Sequence, residues 1–263
     1  MGIKIFQVDS FTALPFAGNP AGVCLLPETR DDGWMLGVAR EMNLSETAFL
    51  RPEGDGFRLR WFTPAVEVDL CGHATLASAH VLWQEGILAP TATARFATRS
   101  GPLLAARRGE LIELDFPAQP ERPAEAPANL LGALGVQPLY LGRNRSDYLV
   151  LVDSEETLRG LRPDIALLRT VAVRGVIVTA PARTPGYDFV SRFFAPAVGV
   201  DEDPVTGSAH CCLGPFWATR LGKNELSAYQ ASARGGALQV RVAGERVFLA
   251  GRAVTILRGE LAV

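Results

Sequence analysis

The sequence predicts an α+β protein of two similar domains, each a curled mixed β-sheet around one central α-helix. The main observation is an internal repeat: residues 60–69 (RWFTPAVEVD) and 192–201 (RFFAPAVGVD) agree at seven of ten positions. Each block leads through a turn of small residues into an apolar run of helical spacing, which ends near a tryptophan. Such a self-match at half the chain length is typical of a duplicated unit. The alternative is that both copies keep a strand–turn–helix only because packing demands it.

The first half alternates between strand and helix periodicity. Asp31 and Asp32 are well placed to cap a helix, Pro64 stops a strand, and Gly101 and Gly109 mark turns of a β-meander. The predicted strands are 3–9, 21–26, 46–51, 57–63, 93–98, 102–107 and 110–115, and the predicted helices are 31–42 and 72–84.

A linker divides the chain near its middle, because residues 117–128 contain four prolines among Ala and Glu. We therefore expect domains at 1–116 and 117–263, with the final strand, 253–263, able to pack back onto the first domain. The second half is predicted to hold helices at 128–135, 154–169 and 206–221, and strands at 138–142, 147–152, 175–180, 187–195, 226–232, 237–242, 246–250 and 253–258.

Composition limits the class of protein. The 263 residues include 48% hydrophobic and 21% charged residues, with a net charge of −2, as in a soluble globular protein. Interspersed charges favour neither a nucleic-acid nor a membrane partner, and no apolar stretch is long enough to span a bilayer. The N-terminus opens on a strand pattern rather than a signal peptide, which predicts a cytoplasmic location.

Metal and nucleotide sites are not indicated by local motifs. The cysteines and histidines are Cys24, Cys71, Cys211, Cys212, His73, His80 and His210. None of them forms a C-x-x-C or H-E-x-x-H motif, so neither a disulfide framework nor a metal is expected. There is also no phosphate-binding glycine motif of the P-loop or dinucleotide type. We expect no cofactor.

Glu46 is the first candidate for chemistry. It stands between apolar neighbours where the chain passes from a helix to a strand. A carboxyl group enclosed by apolar side chains has a raised pKa, which suits a group that takes and returns a proton. The alternative is an ordinary helix-end cap or a glutamate on a rim.

Two predicted helix N-termini supply the other candidates. One begins at Cys71-Gly72-His73 and the other at Gly207-Ser208, which follows three acids, Asp201 to Asp203. Free N–H groups of a first helical turn bind carboxylates and similar anions, and an imidazole or carboxylate beside them can move protons. The alternatives are a structural histidine and acids that only cap the helix dipole.

As a set, these segments resemble the phenazine-biosynthesis PhzF-like family of the diaminopimelate-epimerase-like superfamily. The segments are Asp9-Ser10-Phe11-Thr12, Phe16-Ala17-Gly18-Asn19-Pro20, Met42-Asn43-Leu44-Ser45-Glu46-Thr47, Arg60-Trp61-Phe62-Thr63-Pro64, Cys71-Gly72-His73-Ala74-Thr75 and Glu202-Asp203-Pro204-Val205-Thr206-Gly207-Ser208-Ala209. The resemblance runs from the first strand to the last and keeps the motif order. It implies two α/β domains related by pseudo-twofold symmetry, an active site between them, a homodimer, and catalysis without metal or organic cofactor.

The resemblance also assigns roles by position. Glu46 matches the family's proton-shuttling acid/base, and His73, Asp203 and Ser208 match the polar residues around the substrate. Backbone N–H groups of Gly72, His73, Gly207 and Ser208 are expected to hold the substrate carboxylate, while Gly18 and Asn19 border the cleft in a loop. Asp203 is expected to orient the groups that Glu46 meets or to stabilise its protonated state.

The cysteines depart from the superfamily's two-thiol epimerases, which use one thiol at each helix. Cys71 occupies the first position, but Cys211 and Cys212 lie inside the second helix. We therefore expect an isomerase that moves a proton on a small carboxylate-bearing metabolite, with Cys71 packed beneath the turn beside the substrate. The alternatives are a non-catalytic small-molecule binding protein of this fold and, less favoured, a cysteine-dependent racemase. Neither the substrate nor the choice between double-bond shift and epimerisation follows from the sequence.

Overall fold

The computed structural model describes residues 2–262 and divides the chain into two compact units. The first unit contains the residues up to Phe116 together with those from Ala250 onward, and the second unit runs from Pro117 to Leu249. Within the described residues, no helix is both long and apolar enough to cross a membrane.

The first unit supplies eight strands and two helices before the linker. They are β1 (Ile3–Ser10), β2 (Asn19–Leu25), α1 (Asp32–Met42), β3 (Glu46–Glu53), β4 (Gly56–Phe62), β5 (Glu67–Val68), α2 (Gly72–Gln84), β6 (Ala94–Thr98), β7 (Gly101–Arg108) and β8 (Leu111–Pro117).

The remaining elements belong to the second unit, except for the last strand. They are β9 (Arg122–Pro123), α3 (Leu130–Leu134), β10 (Tyr140–Arg143), β11 (Asp147–Leu151), α4 (Glu155–Gly160), α5 (Ile165–Leu168), β12 (Gly175–Pro181), β13 (Phe189–Ala195), β14 (Val200–Asp203), α6 (Gly207–Leu221), β15 (Glu225–Gln230), β16 (Gly236–Ala243), β17 (Arg246–Gly251) and β18 (Ala253–Leu261). Strand β18 pairs antiparallel with β1 and completes the sheet of the first unit.

Both units share one sheet topology. In the first unit the strands lie in the order β18, β1, β2, β3, β4, β6, β7, β8. In the second unit the order is β9, β10, β11, β12, β13, β15, β16. From the first pair onward, both sheets run antiparallel, antiparallel, parallel, antiparallel, parallel, antiparallel. The predicted fold class is confirmed. The two repeat blocks begin in equivalent strands, β4 and β13.

Each sheet surrounds one helix. Helix α2 packs against β1, β2, β3, β7 and β18, and ten of its thirteen residues are buried. Helix α6 packs against β15 and β16, and its Trp217 donates a hydrogen bond to Thr179 of β12 and stacks on Phe189 of β13. The apolar runs in the sequence predict that both helices are hydrophobic on all sides. Such a helix is stable only when it is enclosed, here by a sheet.

The first arginine of each repeat block forms an ion pair, although the two glutamate partners stand at different positions of the repeat. Arg60 binds Glu67 through two nitrogens at 2.7 Å each, and Arg192 binds Glu202 at 2.7 and 2.9 Å. Each guanidinium also lies about 5 Å above the ring of the phenylalanine two residues further on. The duplication thus extends from the backbone to the arginine and the phenylalanine, whereas the acidic partner differs between the copies.

Two local predictions are wrong. The helix predicted over 154–169 is two short helices, α4 and α5, because Pro163 cannot continue a helix and restricts the residue before it. The acids Asp201 to Asp203 do not lie in the first turn of α6 but form β14, where Asp201 pairs with Arg169 and Glu202 with Arg192.

Glu155, the first residue of α4, fastens a loop of the second unit. Its buried carboxylate accepts hydrogen bonds from the backbone of Arg183, from the backbone and hydroxyl of Thr184, and from Arg159. Burial raises the pKa of Glu155, but these donors outweigh it and lower the pKa to about 2. The ionised form is therefore the one that the folded state stabilises.

This geometry predicts acid sensitivity that depends on Glu155. A depressed folded-state pKa gives stability that is present above the unfolded pKa of 4.5 and is lost as the pH falls toward 2. Between about pH 5 and pH 3, wild type should lose about 2 kcal/mol more unfolding free energy than Glu155→Gln. Urea unfolding at the two pH values measures this, with the exposed neighbour Glu156→Gln as control. Equal losses in wild type and Glu155→Gln would contradict it.

Candidate active site

In the first unit, a carboxylate meets a buried imidazole. Glu46 is the first residue of β3 and His73 is the second residue of α2, and Glu46 Oε2 lies 3.2 Å from His73 Nε2. The Glu46 side chain is 18% exposed and that of His73 is 6% exposed. The carboxylate can therefore reach a ligand, while the imidazole lies behind it.

The imidazole is neutral and its tautomer is defined by its neighbours. Burial lowers the pKa of His73 to about 3, so the ring carries no charge at neutral pH. The amide Nδ2 of Asn19 lies 3.2 Å and the thiol of Cys71 3.5 Å from Nδ1. Both groups can donate to Nδ1, which places the ring proton on Nε2. His73 then donates a neutral N–H to the Glu46 carboxylate.

The first turn of α2 offers backbone donors beside this pair. Its N-cap residue, Cys71, makes no side-chain hydrogen bond to the turn, and the helix opens with Gly72. The turn is held in place by Ser10, whose hydroxyl donates to the His73 carbonyl at 2.8 Å, and by Thr75, whose hydroxyl donates to the Cys71 carbonyl. Such a helix start attracts anions.

Gly18 permits the approach that brings Asn19 to His73. Its φ is +65°, and a Cβ atom there would lie 2.1 Å from the Ser10 carbonyl oxygen. Asn19 is the first residue of β2, pairs with Ser10 and is fully buried. The prediction put Asn19 in a loop bordering a cleft; the structure places it inside the unit, because it pairs with β1.

Replacing Gly18 by Ala is therefore expected to destabilise the protein by about 2 to 4 kcal/mol, from the left-handed backbone and the clash together. Gly54→Ala is the matched control, because Gly54 has a φ of +60° and open space around its Cα. The control should cost about 1 kcal/mol. Chemical unfolding measures both, and equal losses would show that the clash with Ser10 does not matter.

In the second unit, Asp203 is braced at the N-terminus of α6. Its carboxylate accepts a hydrogen bond from the hydroxyl of the N-cap residue Thr206 at 2.5 Å. The fully buried Gln230 accepts from the Thr206 backbone and donates to the Asp203 carbonyl. Asp203 is thus held in one orientation, next to the predicted donors Gly207 and Ser208.

Ser208 is held by a cation, Arg174, that was not among the predicted site residues. Arg174 donates to the Ser208 hydroxyl at 3.1 Å and binds both carboxylate oxygens of the buried Asp147. Burial raises the pKa of Asp147, and Arg174 acts in the opposite direction. The sequence contains a signal for this contact. Asp147 and Arg174 each stand at the start of an apolar run, and the two runs form the parallel strands β11 and β12.

The structure thus brings together Glu46, His73, Asn19, Cys71 and Gly72 in the first unit. It brings together Asp203, Gly207 and Ser208 in the second. Ser10, Thr75, Gln230, Arg174 and Asp147 support them and were not among the predicted site residues.

The thiols differ in their surroundings. Cys211 and Cys212 are buried inside α6, and burial raises the pKa of each to about 12. Cys71 contributes its sulfur to a cluster with Glu46 and His73, in which one ligand atom from each residue lies within 4.8 Å of the others. The sequence shows no metal-binding spacing for these residues, because Glu46 comes from a different element than Cys71 and His73. The cluster therefore could not be recognised from spacing alone.

The chain is similar to known proteins over almost its whole length. The family described as "Phenazine biosynthesis-like protein" matches residues 8–259. An uncharacterised isomerase of Halalkalibacterium halodurans is 58% identical over 99% of both chains. The crystal structure of an Enterococcus faecalis protein of the PhzF family aligns with this chain over the full length of both, with 41% identity and a TM-score of 0.95.

A more distant neighbour shares the fold alone. A probable proline racemase of Agrobacterium radiobacter aligns over 99% of this chain and 93% of its own, with 14% identity and a TM-score of 0.64. The resemblance and the predicted fold class are confirmed by these matches. The isomerase names of the relatives confirm the predicted enzyme class at the level of the family.

Proposed function

Because the chain belongs to the phenazine biosynthesis-like protein family, we propose that it is a cofactor-independent isomerase in which Glu46 moves a proton on a small carboxylate-bearing metabolite. The single observation that carries the proposal is the contact between Glu46 and the neutral, buried His73 at 3.2 Å. A neutral N–H donor keeps the carboxylate oriented without adding a positive charge that would weaken it as a base.

The chemistry needs one group that changes its protonation state twice. Glu46 removes a proton from a carbon next to a carboxylate or a double bond and becomes a neutral acid. His73 Nε2–H stays in place, since its ring does not ionise at neutral pH. Glu46 then returns the proton to a second carbon. With one base on one face of the substrate, this return gives a double-bond shift, whereas inversion of a carbon needs a second acid on the opposite face.

Substrate binding is proposed for the two helix N-termini. The N–H groups of Gly72 and His73 are suited to a carboxylate, as are those of Gly207 and Ser208. Asp203, held by Thr206, and the Ser208 hydroxyl, held by Arg174, are suited to polarise or hold the substrate. The homodimer and the cytoplasmic location stay predictions.

A two-thiol racemase is disfavoured by the second unit. A racemase of that type needs two thiolates, and the raised pKa of Cys211 and Cys212 keeps both thiols protonated. Cys71 alone cannot act from both faces of a substrate.

The test is hydrogen exchange in D₂O. The protein is incubated with a pool of small carboxylate metabolites, each paired with its methyl ester, and the masses and positions of deuterium are read out. We expect one acid to gain deuterium or to isomerise, and its ester to react far more slowly. A metabolite that binds tightly but leaves unchanged and without deuterium would favour the non-catalytic binding protein instead.

A further inference from the structure

The cluster of Glu46, Cys71 and His73 contains the three side-chain types that zinc prefers. One carboxylate oxygen, one thiol sulfur and one imidazole nitrogen lie within 4.8 Å of one another. All three residues are buried or half-buried, and the cluster reaches solvent through the partly exposed Glu46. From this geometry we propose that the first unit binds one zinc ion, or a similar thiophilic divalent cation, through Glu46 Oε2, Cys71 Sγ and His73 Nε2.

The distance between the carboxylate and the imidazole is close to that in a tetrahedral zinc site, whereas the thiol must move. Ligand bonds of about 2.1 Å to nitrogen or oxygen and about 2.3 Å to sulfur imply separations of about 3.4 Å between N and O and about 3.6 Å between N and S. Glu46 Oε2 and His73 Nε2 are 3.2 Å apart, and Cys71 Sγ lies 4.0 Å from the same nitrogen. The sulfur also lies 3.5 Å from Nδ1, so zinc at Nε2 requires the Cys71 side chain to rotate away from Nδ1 by more than about 1 Å.

The charges also balance. Zinc binding deprotonates Cys71 and releases one proton to solvent, so that Zn²⁺, the thiolate and the carboxylate sum to zero. A neutral complex avoids the cost of a net charge in a buried place.

Asn19 allows the imidazole to change tautomer. Zinc takes the lone pair of Nε2, so the ring proton moves to Nδ1. Rotation of the Asn19 amide by a half turn then presents Oδ1 to that proton, at the 3.2 Å position now held by Nδ2. A metal-bound histidine is commonly held by such an acceptor on its other nitrogen.

The remaining thiols do not compete. Burial raises the pKa of Cys24, Cys211 and Cys212 to about 12 each. Within the residues that the structure describes, the cluster of Glu46, Cys71 and His73 is the one group of three or more such ligands. Metal binding therefore reports on Cys71.

Zinc and turnover exclude each other, because the metal takes the carboxylate of Glu46; this consequence rests on the proposed function. The site then acts as an inhibitory one, open to release by a chelator. The sequence predicts no metal, and no metal takes part in the proposed reaction.

Cobalt(II) is the probe that tests the binding directly. We expect one equivalent to give the intense visible bands of four-coordinate cobalt and a near-ultraviolet sulfur-to-cobalt band, both removed by zinc. Cys71→Ser should lose the sulfur band and bind zinc at least about 100-fold more weakly, since a lost ligand costs more than a lost supporting group. Cys24→Ala is the matched control in the same unit and should keep both.

The outcomes separate this inference from the proposed function. Absence of the sulfur band in wild type, or its persistence in Cys71→Ser, overturns the metal site. If Cys71→Ser does not fold, Glu46→Gln replaces it: the sulfur band should remain while zinc affinity falls at least tenfold, and an unchanged affinity overturns the assignment of Glu46. Zinc binding that leaves deuterium exchange unaffected supports the site and refutes Glu46 as the base.

Discussion

Glu46→Gln is expected to lower the rate of deuterium exchange by about 10²- to 10⁴-fold, the usual contribution of an acid–base group. Glutamine keeps the size of the side chain, and its carbonyl oxygen can still accept the N–H of His73. It cannot take or return a proton. The loss should therefore fall on the maximal rate more than on substrate affinity, and the unfolding midpoint should change little.

Glu53→Gln is the matched control for this variant. Glu53 ends the same strand, β3, and pairs with Arg51 at the surface, so its replacement should leave exchange unchanged. Full activity in a folded Glu46→Gln protein would refute the assignment of Glu46. A loss of equal size in Glu53→Gln would show instead that the change acts through the strand.

The sequence predicts the fold correctly where a local pattern of residues determines the local structure. Both central helices were predicted to within one residue at each end, because a glycine opens a long apolar run in each; α6 continues past its internal Pro215. The β-meander follows from alternating residues and from glycines with positive φ at 101 and 109. The predicted helix over 154–169 was wrong because apolar spacing was given more weight than Pro163.

The site was predictable only in part, for a physical reason. Glu46, Cys71 and His73 were each recognised from their own segments and from the resemblance. Their contact depends on the pairing of β2 with both β1 and β3, a long-range arrangement that no segment encodes alone. Gln230 carries no signal at all, since a buried glutamine in a strand is recognisable only by what it contacts.

Arg192→Met is expected to cost about 2 to 4 kcal/mol, because it removes both a partly buried ion pair and the donor to two backbone carbonyls. The side chain of Arg192 is 10% exposed. Besides Glu202, it donates to the carbonyls of Leu158 and Leu161 at the end of α4. Its loss leaves one carboxylate and two helix-end carbonyls without these donors. Urea unfolding measures the loss, and Arg192→Met with Glu202→Leu should recover part of it.

The duplication supplies the control, because Arg60→Met removes the same residue from the other copy. Arg60 is 22% exposed, and Glu67 would keep a second partner, Arg99, at 2.7 Å. The expected cost is about 1 kcal/mol, because Glu67 keeps Arg99 as its partner. Equal losses at the two positions would mean that burial and the helix-end carbonyls do not decide the strength of the pair. A larger loss at Arg192 would show that one sequence motif, repeated in one fold, contributes different stability according to what surrounds its arginine.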